Sequence, residues 1–258
     1  MLFAPLDVYQ PAGMFTSAHF QAVIVCIISL ITCLYSTKEI KKGQLMSLAR
    51  VMAVTLTLLE IIKISYNFYY GYTWLDAWFP LSFCSLFIYA LWFSGFSKGK
   101  LKQAGDAYIL IGCLIGGASF LVMPTTSLMR YPIGHYLCLY SLFFHVMMIY
   151  FGLMYVKHQV VVYQKETVFA FIKYFMSGAL ISIIINTVSG ANIMLLREPY
   201  NIPIAAIQRL HEASPVSYTI LAVEAYLLGS IGTSYMMYKR LTLSFDVSSQ
   251  CTLPTKDI

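Results

Sequence analysis

Apolar residues run along this chain in seven blocks, at about residues 18–35, 45–66, 78–96, 106–123, 134–156, 167–188 and 216–238. A block of roughly 20 apolar residues crosses a bilayer as one helix, because hydrocarbon offers no water to an unpaired backbone. The pattern predicts an all-α polytopic membrane protein, a bundle of seven transmembrane helices in one integral membrane domain over residues 1–258. The ends of the blocks fit this reading. Block two closes on Tyr66, Tyr69, Tyr70, Tyr72 and Trp74, aromatics suited to a membrane–water interface, and Pro124 stops block four. Within block four, Gly116-Gly117-Ala118-Ser119 offers a smooth patch for close helix approach.

Charge sets the orientation. Lys38, Lys41, Lys42, Lys98, Lys100, Lys102, Lys157, Lys165, Lys239, Arg240 and Lys256 fall after blocks one, three, five and seven, and Arg50 stands near the start of block two on the same side. Only Arg130, Arg197 and Arg209 fall after blocks two, four and six. This bias puts the N-terminus outside and the C-terminus in the cytoplasm of a cell-membrane protein. No Lys or Arg precedes Lys38, so the first block reads as a retained span and not a cleaved signal.

Composition removes the soluble classes. The chain is 59% hydrophobic and 11% charged, with a mean hydropathy of +0.71. Its net charge of +6 sits in short loops, where it orients the spans and does not point to nucleic acid. Five of the six cysteines lie in apolar blocks with no C-x-x-C pair, which reads as buried thiols and not as a disulfide or metal framework. No metal or other cofactor is implied, and the expected partners are membrane lipids, with a lipid or acyl chain as substrate.

Polar side chains inside the blocks are the candidate chemistry, because each needs a partner within the protein. With the orientation above they gather in the outer half: Glu60 and Lys63 three residues apart, Cys84 with Ser82 and Ser85, His145, Asn186 with Asn192, and Glu224. Cys84 and His145 together suggest acyl transfer. A histidine removes the thiol proton, the thiolate takes up the acyl group as a thioester, and amide donors such as Asn186 or Asn192 hold the oxyanion. Ser82 and Ser85 supply further hydroxyls, and Glu60, Lys63 and Glu224 supporting polar contacts.

Three stretches resemble the YwaF-like family of bacterial integral membrane proteins. They are Phe15-Thr16-Ser17-Ala18-His19-Phe20, Phe79-Pro80-Leu81-Ser82-Phe83-Cys84-Ser85, and Gly190-Ala191-Asn192-Ile193-Met194-Leu195-Leu196-Arg197-Glu198-Pro199. That family is related to a eukaryotic transmembrane acyltransferase of ether phospholipids and, more remotely, to androgen-induced hydrolases of fatty acid esters. The resemblance implies His145 as the histidine and a nucleophile from Pro80–Ser85. Ser82 stands where the family pattern has histidine, and Leu81 where the eukaryotic enzyme has its cysteine. The leading expectation is a membrane-embedded acyltransferase or lipid-ester hydrolase with an outward-facing polar pocket. A binder or transporter of a lipid-like ligand, and an accessory structural subunit, are the alternatives.

Overall fold

The structure, a computed structural model, describes residues 1–200 and 202–250, with side chains to position 240; Cys251 and the rest of the polar tail lie outside the described residues. The described chain is helical, with no strand. Its helices are α1 (Ser17–Ser36), α2 (Lys42–Tyr69), α3 (Leu75–Trp78), α4 (Leu86–Phe96), α5 (Gly99–Val122), α6 (Tyr136–Lys157), α7 (Lys165–Ser189), α8 (Ala205–Ala213) and α9 (Pro215–Gln250).

Among the described residues six helices, not seven, are long and apolar enough to cross a membrane: α1, α2, α5, α6, α7 and α9. The expected third span is instead broken into α3, a non-helical stretch from Phe79 to Ser85, and the 11-residue α4. Pro80 is the physical reason. It has no N–H to donate and its ring pushes Phe79 out of the helical region, to φ −72° and ψ 119°. At about 1.5 Å per residue α4 covers roughly half of a hydrocarbon core.

The α5 and α6 helices form the centre, with 72% of each apolar stretch buried, against 11% in α9. They pack closely because of glycine. A methyl group at Gly117 would lie 2.7 Å from His145 O, and one at Gly116 would lie 2.8 Å from Met148 Cε. The smooth patch read from the sequence therefore does bring α5 against α6. Helix α4 crosses the other side of α5, where a methyl group at Gly105 would lie 2.5 Å from Ala90 O.

The two ends of the bundle are built differently. At the lysine-rich end, Lys42 Nζ donates to Gln159 O at 3.1 Å and Lys157 Nζ to Lys38 O at 2.5 Å, tying two loops together. At the opposite end the first residues fold back as a strap. Tyr66 Oη donates to Ala4 O, Tyr70 Oη to Phe3 O and Tyr72 Oη accepts from Leu6 N. The aromatics that mark an interface in the sequence thus also hold the N-terminal segment down.

Candidate functional site

The interrupted entrance to α4 carries Cys84. Ser82 Oγ accepts from Ser85 N at 3.0 Å and shares a hydrogen bond with Ser85 Oγ at 2.8 Å, so the two serines close the turn on themselves. Tyr89 Oη donates to Pro80 O, and Tyr108 Oη, from α5, donates to Phe83 O. The backbone N–H groups of Ser82, Phe83 and Cys84 have no hydrogen-bond partner among the described residues. Helix α4 begins two residues beyond Cys84 and its own first N–H groups, at Leu86, Phe87 and Ile88, are taken by Ser82, Cys84 and Ser85 carbonyls, so the free amides are those of the turn that leads into it. The Cys84 thiol donates to Gly116 O of α5 at 3.8 Å and is half-buried, beside an exposed Ser82. Irregular backbone at this depth is tolerated where it lines a polar site.

His145 lies on α6, 7% exposed, with its ring stacked on Phe120 at 3.7 Å and 7°. Its Nδ1 is 2.6 Å from Ser141 O, one turn earlier. A carbonyl can only accept, so Nδ1 carries the proton and Nε2 keeps its lone pair. No hydrogen bond to Nε2 exists among the described residues. His19 is different. Its Nδ1 accepts from Phe15 N at 3.0 Å and its Nε2 donates to Leu121 O at 2.9 Å, so both nitrogens are used in pinning α1 to α5.

Cys84 and His145 therefore reach neighbouring turns of the same helix, at Gly116 and at Gly117–Phe120 of α5, and no hydrogen bond joins them. Two surface hollows of about 500 and 330 Å³ lie at the lysine-rich end, beside Tyr163–Ile172 and Tyr35–Gln44, and neither is lined by this pair.

The remaining candidates separate into distinct groups. Glu60 and Lys63 form an ion pair at 2.5 Å, and Tyr140 Oη of α6 donates to Glu60 Oε2 at 2.7 Å. This group joins α2 to α6. Asn186 and Asn192 shape the loop after α7. Asn186 Nδ2 donates to Ile193 O and its Oδ1 accepts from Ile193 N, at 3.0 and 2.8 Å. Asn192 Oδ1 accepts from the N–H groups of Arg197 and Glu198, while its own N–H donates to Asp76 Oδ1 at 2.6 Å. Glu224 is exposed on α9, with no hydrogen bond or ion pair among the described residues.

The loop held by these asparagines is strained. Met194 and Leu195 sit at φ +60° and +54°, a region that costs a bulky residue about 1–2 kcal/mol. Contacts from α9 hold them there: Tyr226 Oη donates to Met194 O, Tyr218 Oη to Leu195 O and Thr219 Oγ1 to Leu196 O. Tyr226 also stacks on Phe83 at 4.6 Å, and Met194 packs with Leu86 around Gly178. The loop thus abuts the entrance to α4. Asn186→Ala is expected to cost about 2 kcal/mol, because it leaves the buried Ile193 N–H unpaired and leaves Ile193 O with only the 3.4 Å bond from Leu196 N. Unfolding titrations in mixed micelles would read this, and a change below about 0.5 kcal/mol would mean that α9 alone holds the loop.

A sequence profile of the TMEM164 family matches residues 14–235, most of the chain and all three of the short motifs. The chain belongs to the TMEM164 family. No curated protein and no solved structure gives a significant match. The likeness to YwaF-like proteins rests on the short motifs, whereas membership of the TMEM164 family rests on nearly the whole length.

For this member of the TMEM164 family, the structure adds residues that the sequence reading passed over. Tyr108 and Tyr226 hold Phe83, the residue before Cys84, by its carbonyl and by its ring, yet nothing separates them in the sequence from 18 other tyrosines. At the lysine-rich end, Asp106 is buried with Ser94 Oγ at 2.5 Å and Lys102 Nζ at 2.8 Å, and Tyr155 Oη joins Ser94. Buried polar groups are thus not confined to the half that holds Cys84. The signal was present: Lys102 and Asp106 are four residues apart, a helical ion-pair spacing hidden by starting the span at Asp106.

Proposed function

We propose that this multi-pass membrane protein transfers or hydrolyses acyl groups of lipid esters in the cell membrane, with Cys84 as nucleophile and His145 as base. The observation that carries the reading is the run of three unpaired amides, Ser82 to Cys84, beside the Cys84 thiol at the start of α4. Unpaired N–H groups gathered in one turn are where an acyl oxygen gains negative charge at least cost. They take over the role expected of Asn186 and Asn192, whose amides are engaged in their own loop.

His145 Nε2 accepts the thiol proton, and the sulfur bonds to the ester carbonyl carbon. The C–O bond then breaks, and the leaving alcohol takes that proton from Nε2. An acceptor alcohol or water next gives its proton to Nε2 and attacks the thioester, and the departing sulfur is reprotonated from Nε2. The exposed Ser82 and half-buried Cys84 offer approach from the side, along the membrane plane. For the proton transfer the thiol turns from Gly116 O toward His145 Nε2 as substrate binds, since catalytic contacts often tighten only around substrate. The experiment is intact-mass analysis of protein in nanodiscs exposed to a phospholipid ester. One hydroxylamine-sensitive acyl adduct is expected, absent from Cys84→Ala. An adduct that persists in Cys84→Ala, or no adduct with turnover unchanged in that variant, removes Cys84 as nucleophile.

A further inference from the structure

Glu224 is the point of departure. It lies nine residues into α9, about 14 Å from Pro215, which is well below the headgroup level of a core about 30 Å thick. It is exposed between Ile220 and Leu228, themselves 53% and 67% exposed, so it faces hydrocarbon. A carboxyl group there needs a partner that hydrocarbon does not supply. Two turns further along α9, within about a quarter turn of the Glu224 face, Gly232 has no atom within 4 Å of where a side chain would begin. Small residues of this kind allow another helix to approach closely.

Lys173 of α7 has the complementary problem. It is exposed in the row Phe169, Lys173, Leu180 and Ile184, and it has no carboxylate partner among the described residues. The two charges lie in one layer of the membrane. Helices α7 and α9 run antiparallel, and the Phe175 and Tyr226 rings meet at 5.9 Å. Lys173 and Glu224 are each two residues from that contact in opposite directions, so they differ in depth by about 6 Å. A lysine stem can cover that offset.

They cannot pair within one chain. Two residues turn a helix by about 200°, so if Phe175 and Tyr226 face each other, Lys173 and Glu224 point to opposite sides of the α7–α9 pair. We propose that a second copy of this chain docks on the α9 face, setting Glu224 against the partner's Lys173. Because the two charges face opposite ways, the contact is head to tail, and repetition about an axis normal to the membrane closes it into a ring.

The test uses the full chain with two different affinity tags, co-expressed and reconstituted in nanodiscs wide enough for several copies. Wild-type chains are expected to co-purify. Glu224→Lys and Lys173→Glu each reduce co-purification about tenfold, and the doubly reversed chain recovers it. Glu224→Gln keeps the shape and removes the charge, so it weakens association with the fold intact by size exclusion. Wild-type chains that do not co-purify overturn the proposal. So do single reversals that associate like wild type, or a double reversal that fails to recover. None of these outcomes depends on turnover.

Discussion

Gly105→Ala is expected to destabilise the protein by about 3 kcal/mol, at the upper end of the cost of overpacking. The added methyl group would lie 2.5 Å from Ala90 O and 2.7 Å from Ser94 N, both backbone atoms of α4. A flexible side chain could swing aside, but a helix backbone can only move as a unit. Moving α4 from α5 also pulls Ser94 from Asp106, whose 2.5 Å hydrogen bond sits inside the Lys102 and Tyr155 cluster. The loss therefore includes a polar group left buried without its partner. Gly229→Ala is the control, since nothing lies within 4 Å of that position, and alanine there should be neutral or stabilising by up to about 1 kcal/mol through helix propensity. Unfolding free energies in mixed micelles compare the two. Equal values would show that α4 and α5 are not in backbone contact at Gly105.

His145→Phe is expected to lower acyl turnover by about 10²–10⁴-fold while leaving stability near that of the wild type. Phenylalanine keeps an aromatic ring against Phe120, where the imidazole stacks at 3.7 Å, so packing is preserved. What it removes is Nε2, the nitrogen left with a lone pair once Nδ1 has donated to Ser141 O. A histidine that only holds helices together would show the reverse: a loss of stability, with turnover unchanged in the molecules that remain folded. Single-turnover rates of adduct formation on Cys84, with thermal unfolding of the same sample, separate the two roles. Full turnover in His145→Phe would leave Cys84 to be activated by the amides of its own turn alone.

The hydrophobic pattern by itself determined the helical membrane class, because the need to satisfy every backbone group in hydrocarbon leaves few other solutions. It also located four of the six long helices to within a few residues at both ends, α5 beginning earlier than expected, at Gly99, and α9 running on to Gln250. Pro80, a residue that breaks helices, stands near the start of the remaining block. Counting apolar residues still made it a seventh span, since composition cannot register where a helix is broken. Only the tertiary structure decided which polar groups belong together. It joined Glu60 and Lys63 to Tyr140, whose position 80 residues later no spacing rule could reveal. It committed Asn186 and Asn192 to a loop and left Glu224 facing outward. It also brought the motif around Cys84, the strained turn at Met194 and the contact of His19 with Leu121 to one end of α5 and its neighbours. Side-chain identity sets what each group can donate or accept. Which donor meets which acceptor depends on how helices cross, and that was fixed by glycines on α5 whose close contacts lie far away in the chain.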